Sequence, residues 1–456
     1  MAPASSPALS SGPLFSRKTP SLHGALRVPG DKSISHRALM MGTFGVGRTV
    51  IFGLLEGEDI LATAGAMRQL GARIEREATP SGDAVWFVEG VGVGALRTPE
   101  TVLDMGNAGT GVRLVMGMLA THPIRATLTG DASLCKRPMG RVTEPLAQFG
   151  AEFQASEGNR LPLTVTGARS PVPLTYRLPV PSAQVKSAIL LAALNTPGVT
   201  TVIEPIPTRD HTERMFAHFG VPVEIHQTPE GETAVSVTGQ TELVGQTLTV
   251  PADPSSAAFP LVAALLTPRS HLLLEGVGIN AHRTGLIDTL REMGADIRLL
   301  NERMDTGEPV ADLEVRTSAL TGIDVPASRA PSMIDEYPIL AVAAACATGT
   351  TRMHGLGELR VKESDRLTGM ADGLRACGVQ VEVEGDTLIV HGTGRPPKGG
   401  ARVPVMLDHR IGMSFLVLGM VSEEPVSIDE AAPIETSFPG FARLMNGIGA
   451  NISDSP

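Results

Sequence analysis

The chain has 456 residues, a formal net charge of −10 and a pI near 5.6. That acidic balance excludes a general nucleic-acid or anionic-membrane surface, so an anionic ligand has to be met by local cations. Hydrophobic residues make up 42% and aromatics 3%, so the length allows sizeable cores, built from small aliphatics, Met, Ala and Gly.

In chain order, residues 1–21 are rich in Ser and Pro, lack an apolar segment, and are expected to form a disordered lead-in and not a signal peptide. A strand is expected at Ala25–Val28, and Gly30-Asp-Lys-Ser-Ile-Ser-His-Arg37 then opens a helix. A strand at Arg48–Phe52, a helix ending at Leu70, and strands at Ala72–Glu75 and Ala84–Glu89 complete a βαβαββ unit. The helix end Leu70-Gly71-Ala72 recurs as Phe149-Gly150-Ala151, Phe219-Gly220-Val221, Met293-Gly294-Ala295, Cys377-Gly378-Val379 and Ile448-Gly449-Ala450. The glycine-to-glycine steps are 79, 70, 74, 84 and 71 residues, which reads as a six-fold internal repeat with glycine as the left-handed helix cap.

Upstream of each of these caps a second helix begins on small or capping residues and then runs apolar. After the Gly30 stretch these starts are Gly106-Asn-Ala-Gly-Thr-Gly-Val-Arg113, Pro181-Ser-Ala-Gln-Val-Lys186, Asp253-Pro-Ser-Ser-Ala257, the stretch Pro331–Ala345 and Leu407-Asp-His-Arg410. A helix that is apolar all round must be enclosed, whereas the glycine-capped helices are amphipathic, so each unit has one inner and one outer helix. The expected fold is α/β (α+β), with two lobes of three βαβαββ units around buried inner helices. The Pro-bearing crossings at Pro29 and Pro251 give one lobe of residues 22–28 plus 252–456, carrying the candidate catalytic acids. The other lobe is 29–251, carrying the Lys-Ser-x-Ser-x-Arg and Asn-Ala-Gly-Thr motifs. Lobes joined by two thin crossings are expected to close on an anion.

Helix N-termini carry partial positive charge and unpaired N–H groups, and so suit anions. Lys32, Arg37, Arg113, Lys136, Arg137, Lys186, Arg209, Lys362, Arg366 and Arg410 stand near these starts. Taken singly, each is more simply a solvated cation. Recurring at one place in the repeat, they imply ligands with several negative charges. Asp335, at the mouth of a buried helix, is a candidate base, and Glu363, within Leu359-Arg-Val-Lys-Glu-Ser-Asp-Arg-Leu367, a candidate second acid/base group. Cys135, Cys346 and Cys377 are far apart and show neither disulfide nor zinc spacing, which favours a reducing, cytoplasmic setting. The apolar runs are too short to span a bilayer at ~20 residues.

Gly30-Asp-Lys-Ser-Ile-Ser-His-Arg37, Gly106-Asn-Ala-Gly-Thr110, Lys136-Arg-Pro138, Arg360-Val-Lys-Glu-Ser-Asp-Arg366 and Asp408-His-Arg410 resemble the 5-enolpyruvylshikimate-3-phosphate (EPSP) synthase family, from about Leu22 to the end. Pro181-Ser-Ala-Gln184 with Lys186 is similar to the bacterial class II form. The resemblance implies the enolpyruvyl transferase fold, an inverse α/β barrel. It also implies transfer of enolpyruvyl from phosphoenolpyruvate to the 5-hydroxyl of shikimate 3-phosphate with release of phosphate, by a monomer that needs neither metal nor organic cofactor. The implied catalytic residues are Asp335, Glu363 and Lys32. Lys32, Ser33, Arg37, Ser182, Ala183, Gln184, Arg209, Asp335 and Lys362 would hold shikimate 3-phosphate. Lys32, Gly109, Arg137, Gln184, Arg366 and Arg410 would hold phosphoenolpyruvate. The family's competitive inhibitor glyphosate is longer than phosphoenolpyruvate, so a methyl at Gly109 is expected to exclude it while sparing the substrate.

This chain departs from the family at three positions: Ala183 replaces a Ser, Thr436 stands where many members have Lys, and Leu114 follows Arg113 where Pro is more usual. At Ala183 one phosphate contact is expected to be lost or to come from the backbone, and Lys186 or Arg209 is expected to compensate for the cation missing at Thr436. An alternative reading, UDP-N-acetylglucosamine enolpyruvyl transferase, requires a Cys at the position of Ala132. A non-catalytic anion-binding repeat protein would have no use for Asp335 and Glu363 together.

Overall fold

The computed structural model describes residues 12–79 and 84–455. Six helix pairs follow one another: α1 (Lys32–Phe44) and α2 (Glu58–Gln69), α3 (Gly109–Ala120) and α4 (Gly140–Ala147), α5 (Ala183–Ala193) and α6 (His211–His218), α7 (Pro254–Leu266) and α8 (Gly285–Glu292), α9 (Tyr337–Cys346) and α10 (Arg366–Ala376), and α11 (His409–Gly419) and α12 (Phe441–Gly447). The first of each pair is enclosed almost throughout: in α7 every residue from Ser255 to Leu265 is buried, and in α9 every residue from Tyr337 to Ala345. The second of each pair buries one face and ends at the repeated glycine. Gly71, Gly150, Gly220, Gly294, Gly378 and Gly449 all lie at positive φ, between 82° and 114°, where a Cβ would be strained.

Each pair packs with a four-stranded sheet of constant plan. A parallel pair of strands comes first, and an antiparallel hairpin follows. In the second repeat Leu103–Asp104 runs parallel to Arg125–Thr129, which pairs antiparallel with Arg160–Thr166, and that in turn with Glu152–Ser156. The repeats at the chain's turning points borrow strands. Thr247–Thr249 supplies the parallel strand beside Arg48–Phe52, and His23–Leu26 the one beside His271–Gly278. Among the described residues the last repeat has no final strand of its own, and Leu14–Ser16 fills the place between Val426–Ile428 and Ile452–Ser453. The expected disordered lead-in does not extend over residues 12–21. Residues 12–21 are ordered by this pairing, with Leu14 and Leu22 buried, and residues 1–11 of that expectation lie outside the described residues.

Tertiary contacts divide the chain into two units. The first comprises the chain as far as Pro29, Ala252–Arg303 and Val310 to the end; the second comprises Gly30–Pro251 and Met304–Pro309. Each has its own apolar core. Residues 304–309 group with the second unit because Arg214 Nη1 donates to the Gly307 carbonyl at 3.1 Å, and Thr306 Oγ1 to that of Thr249 at 3.2 Å. These six residues are the tip of the hairpin formed by Asp296–Asp305 and Glu308–Arg316.

The stretch Pro331–Ala345 forms two helices, not one. Ala330–Met333 makes a single turn, and α9 restarts at Tyr337. Pro338 has no N–H to continue a helix from Ile334 but suits a first turn. Asp335 lies in the turn between the two helices.

Candidate active site

In the second unit the inner helices expose little besides their first turns. Asp31 caps α1, accepting the Ile34 N–H at 2.8 Å, and Lys32 and Ser33 are the residues of that helix that are not buried. The Lys32 ammonium pairs with the Asp59 carboxylate in the first turn of α2. Ser182 caps α5, its Oγ accepting the Val185 N–H at 3.4 Å, so Ala183 is the first helical residue. Gln184 Nε2 donates to Thr110 Oγ1 at 2.9 Å, joining the starts of α5 and α3.

Arg137 lies across the start of α3. It donates to Asn107 Oδ1 at 2.5 Å and Ser133 Oγ at 3.1 Å. A Cβ on Gly109 would stand 2.8 Å from Arg137 Nη1 and 3.3 Å from Arg113 Nη1. The space that a side chain at 109 would take is therefore already occupied by two guanidinium groups, not open to an incoming ligand alone.

Arg37 is buried. Its guanidinium donates to Thr212 Oγ1 at 2.7 Å, Ser187 Oγ at 2.7 Å and the Ser33 carbonyl at 2.9 Å. Burial draws its pKa down to about 10; the carboxylates Glu213, Asp31 and Glu308 oppose that shift, and the nearby half-buried Arg209 adds to it. Lys186 is not a cation of the helix mouth. It is buried and bound to Glu204 at 2.9 Å and Glu213 at 2.6 Å, so the expected compensation for Thr436 does not come from it. Thr436 turns its hydroxyl back on the Pro433 carbonyl at 2.8 Å.

In the first unit five sequence candidates converge. The Asp335 carboxylate lies 3.2 Å from Arg366 Nη1 and 3.5 Å from Lys362 Nζ, and its carbonyl accepts from Arg410 Nη1 at 3.1 Å. Glu363 binds Arg366 through Nη2. The Arg366 side chain is only 1% exposed, and its Nε donates to Asp408 Oδ2 at 2.7 Å. Burial alone would lower the Arg366 pKa; Asp408, Glu363 and Asp335 outweigh it and hold the group well above the usual arginine value. Behind Asp335, Glu336 is buried, accepts from Ser255 Oγ, and neighbours Arg283, which donates to Ser255 Oγ at 2.8 Å and Asp253 Oδ1 at 3.1 Å.

Asp59 is not among the sequence candidates, and Asp408 is named there only within a helix start and a motif, without a role. Asp59 is the partner of Lys32. Asp408 is both the N-cap of α11, accepting the Arg410 N–H at 3.0 Å, and the innermost counter-ion of Arg366. The cap position of Asp408, directly before an apolar run, was a legible signal; its ion pair was not. Among the described residues no helix is long and apolar enough to cross a membrane, and no group of three or more His, Cys, Asp or Glu could hold a metal ion.

The family model of EPSP synthase (3-phosphoshikimate 1-carboxyvinyltransferase) matches residues 16–445. The chain is 67% identical over 441 residues to the 3-phosphoshikimate 1-carboxyvinyltransferase of Rhodospirillum rubrum, covering 97% of this chain and 98% of that protein. It is 61% identical over 445 residues to the one from Paramagnetospirillum magneticum, covering 97% and 99%. The solved EPSP synthase from Acinetobacter baumannii matches with a TM-score of 0.85 at 43% identity, over 97% of this chain and 100% of that one. The enolpyruvyl transferase NikO from Streptomyces tendae, 17% identical over 97% of this chain and 99% of its own, has a TM-score of 0.74 and shares the fold. The chain thus has the enolpyruvyl transferase fold and belongs to the EPSP synthase family, the 3-phosphoshikimate 1-carboxyvinyltransferases of the shikimate pathway.

Proposed function

We propose that the two clusters divide the work of that reaction, in which phosphoenolpyruvate gives its enolpyruvyl group to the 5-hydroxyl of shikimate 3-phosphate and phosphate leaves. Asp335 takes the hydroxyl proton, and Glu363 handles the proton at the methylene carbon. Lys32 contacts both substrates. Ser33, Arg37, Ser182, Ala183, Gln184, Arg209, Asp335 and Lys362 hold shikimate 3-phosphate, and Gly109, Arg137, Gln184, Arg366 and Arg410 hold phosphoenolpyruvate. The observation that carries this reading is Arg366: one buried guanidinium reaches both Asp335 and Glu363, with Lys362 and Arg410 also on Asp335. Two carboxylates fixed beside preset cations suit a reaction that moves two protons and passes through a charged tetrahedral intermediate.

Ala183 has no hydroxyl to offer a phosphate. As the first residue of α5, its backbone N–H lacks an intrahelical partner, which supports a main-chain contact in its place. Pro181-Ser-Ala-Gln184 supports the bacterial class II form, and the three separated thiols support a cytoplasmic setting. We read the working state as a monomer, which sedimentation tests.

The decisive experiment is phosphate release from the two substrates by Asp335→Asn, which keeps the shape and removes the base. The expected result is a kcat lower by ~10²–10⁴ with modest change in either KM. Turnover near that of the wild type would remove the assignment.

A further inference from the structure

Lys186 carries a charge that the proposed reaction does not use. It stands in the second turn of α5, fully enclosed, with Nζ 2.9 Å from Glu204 Oε2, 2.6 Å from Glu213 Oε1 and 3.4 Å from the Thr208 carbonyl. Glu204 ends the strand Val199–Glu204, Thr208 lies in the turn before Arg209, and Glu213 is in the first turn of α6. Thr208 Oγ1 closes the figure by donating to Glu204 Oε1 at 2.5 Å.

The residues next in sequence to these are the ones the substrate side depends on. Ser187 follows Lys186 and accepts from Arg37; Thr212 precedes Glu213, accepts from Arg37 and donates to Ser187 Oγ at 2.8 Å; Arg209 follows Thr208. The cluster is also an expensive way to fill space. Two buried carboxylates face one ammonium, and Glu213 Oε2 has no hydrogen-bond partner. An apolar trio of similar volume would avoid that desolvation, so the gain lies in geometry.

We infer that Lys186 is a positioning residue for shikimate 3-phosphate: it ties α5, the strand end at Glu204, the Thr208–Arg209 turn and α6 into one block, and so sets where Arg37 and Arg209 point. This rests on the proposed assignment of those two arginines to that substrate.

The test uses the full chain and steady-state phosphate release, with both KM values, kcat and a melting curve for Lys186→Met, Glu204→Gln and Arg209→Ala. A displaced cation predicts that Lys186→Met raises the shikimate 3-phosphate KM by about tenfold or more, while the phosphoenolpyruvate KM and kcat stay within about threefold. Glu204→Gln, which keeps the Lys186–Glu213 pair and weakens the bonds of residue 204 to Lys186 and Thr208, should move the same KM in the same direction by less. A role in stability alone would lower the melting temperature without this split. An unchanged shikimate 3-phosphate KM in folded Lys186→Met and Glu204→Gln, with that KM raised in Arg209→Ala, overturns the inference and leaves the site assignment standing. If Lys186→Met does not fold, Glu204→Gln decides in the same way. If Arg209→Ala leaves the KM unchanged, the assignment itself fails and the inference falls with it.

Discussion

Acid should loosen the second unit in part through the imidazole of His122. This residue follows α3, is buried, and stacks on Phe44 at the end of α1, with ring centroids 5.7 Å apart and planes within 10°. Its Nδ1 lies 2.7 Å from the Met118 carbonyl, which can only accept, so Nδ1 carries the proton. Nε2 accepts the Gly94 N–H at 3.1 Å. Both nitrogens are thus satisfied in the neutral ring, and a second proton would be driven against a backbone donor. Burial lowers the pKa from 6.5 to about 4, although the Met118 carbonyl works the other way. Between those two values the unfolded chain binds a proton that the folded chain refuses. The contribution is therefore complete above about pH 6.5, declines as the pH falls toward 4, and changes no further below that. A drop from 6.5 to about 4 corresponds to about 3 kcal/mol, a sizeable share of the ~5–15 kcal/mol of a typical domain. Trp86, the single tryptophan, is buried in the same unit, so its fluorescence during urea unfolding reports the right structure. His122→Asn keeps a donor for Met118 and cannot titrate. The stability of the wild type minus that of the variant should shrink by about 3 kcal/mol between pH 7 and pH 4, with shifts common to both chains cancelling. A difference that is flat with pH, or that grows as the pH falls, would refute this reasoning.

Gly109→Ala should press the Arg137 guanidinium aside, because the new Cβ would lie 2.8 Å from Nη1. The phosphoenolpyruvate KM and the glyphosate inhibition constant should then rise together, each by roughly tenfold; a raised inhibition constant with an unchanged KM would restore the purely steric account drawn from sequence. Asp408→Asn should remove the innermost counter-ion of a guanidinium that is 1% exposed. Calorimetry should show a loss of about 3 kcal/mol or more, and kcat should fall as Arg366 turns toward its two remaining carboxylates; an unchanged melting temperature would mean that Asp335 and Glu363 suffice.

The features legible in sequence were those set by neighbours along the chain. The six glycine caps needed only a helix end and a positive φ, and the buried inner helices needed only unbroken apolar composition. The convergence of Asp335, Lys362, Glu363, Arg366 and Arg410 followed from one motif and two helix starts. Charge roles decided across the fold were not legible. Lys186 follows Gln184 by two residues and looked like another mouth cation, yet its direction is set by Glu204 and Glu213, which lie in other elements. Helical spacing held a partial clue. Lys186 is four residues beyond Ser182, on the face of the cap, and one turn deeper, where α5 is already enclosed. Leu14–Ser16 gave no local sign at all: three residues among Ser and Pro become a strand only because the last repeat, ending at Ile452–Ser453, leaves a gap between two strands that must be hydrogen-bonded. An unpaired sheet position is as binding a constraint as a hydrophobic face, but it belongs to the fold as a whole, and no window of sequence around residue 14 contains it.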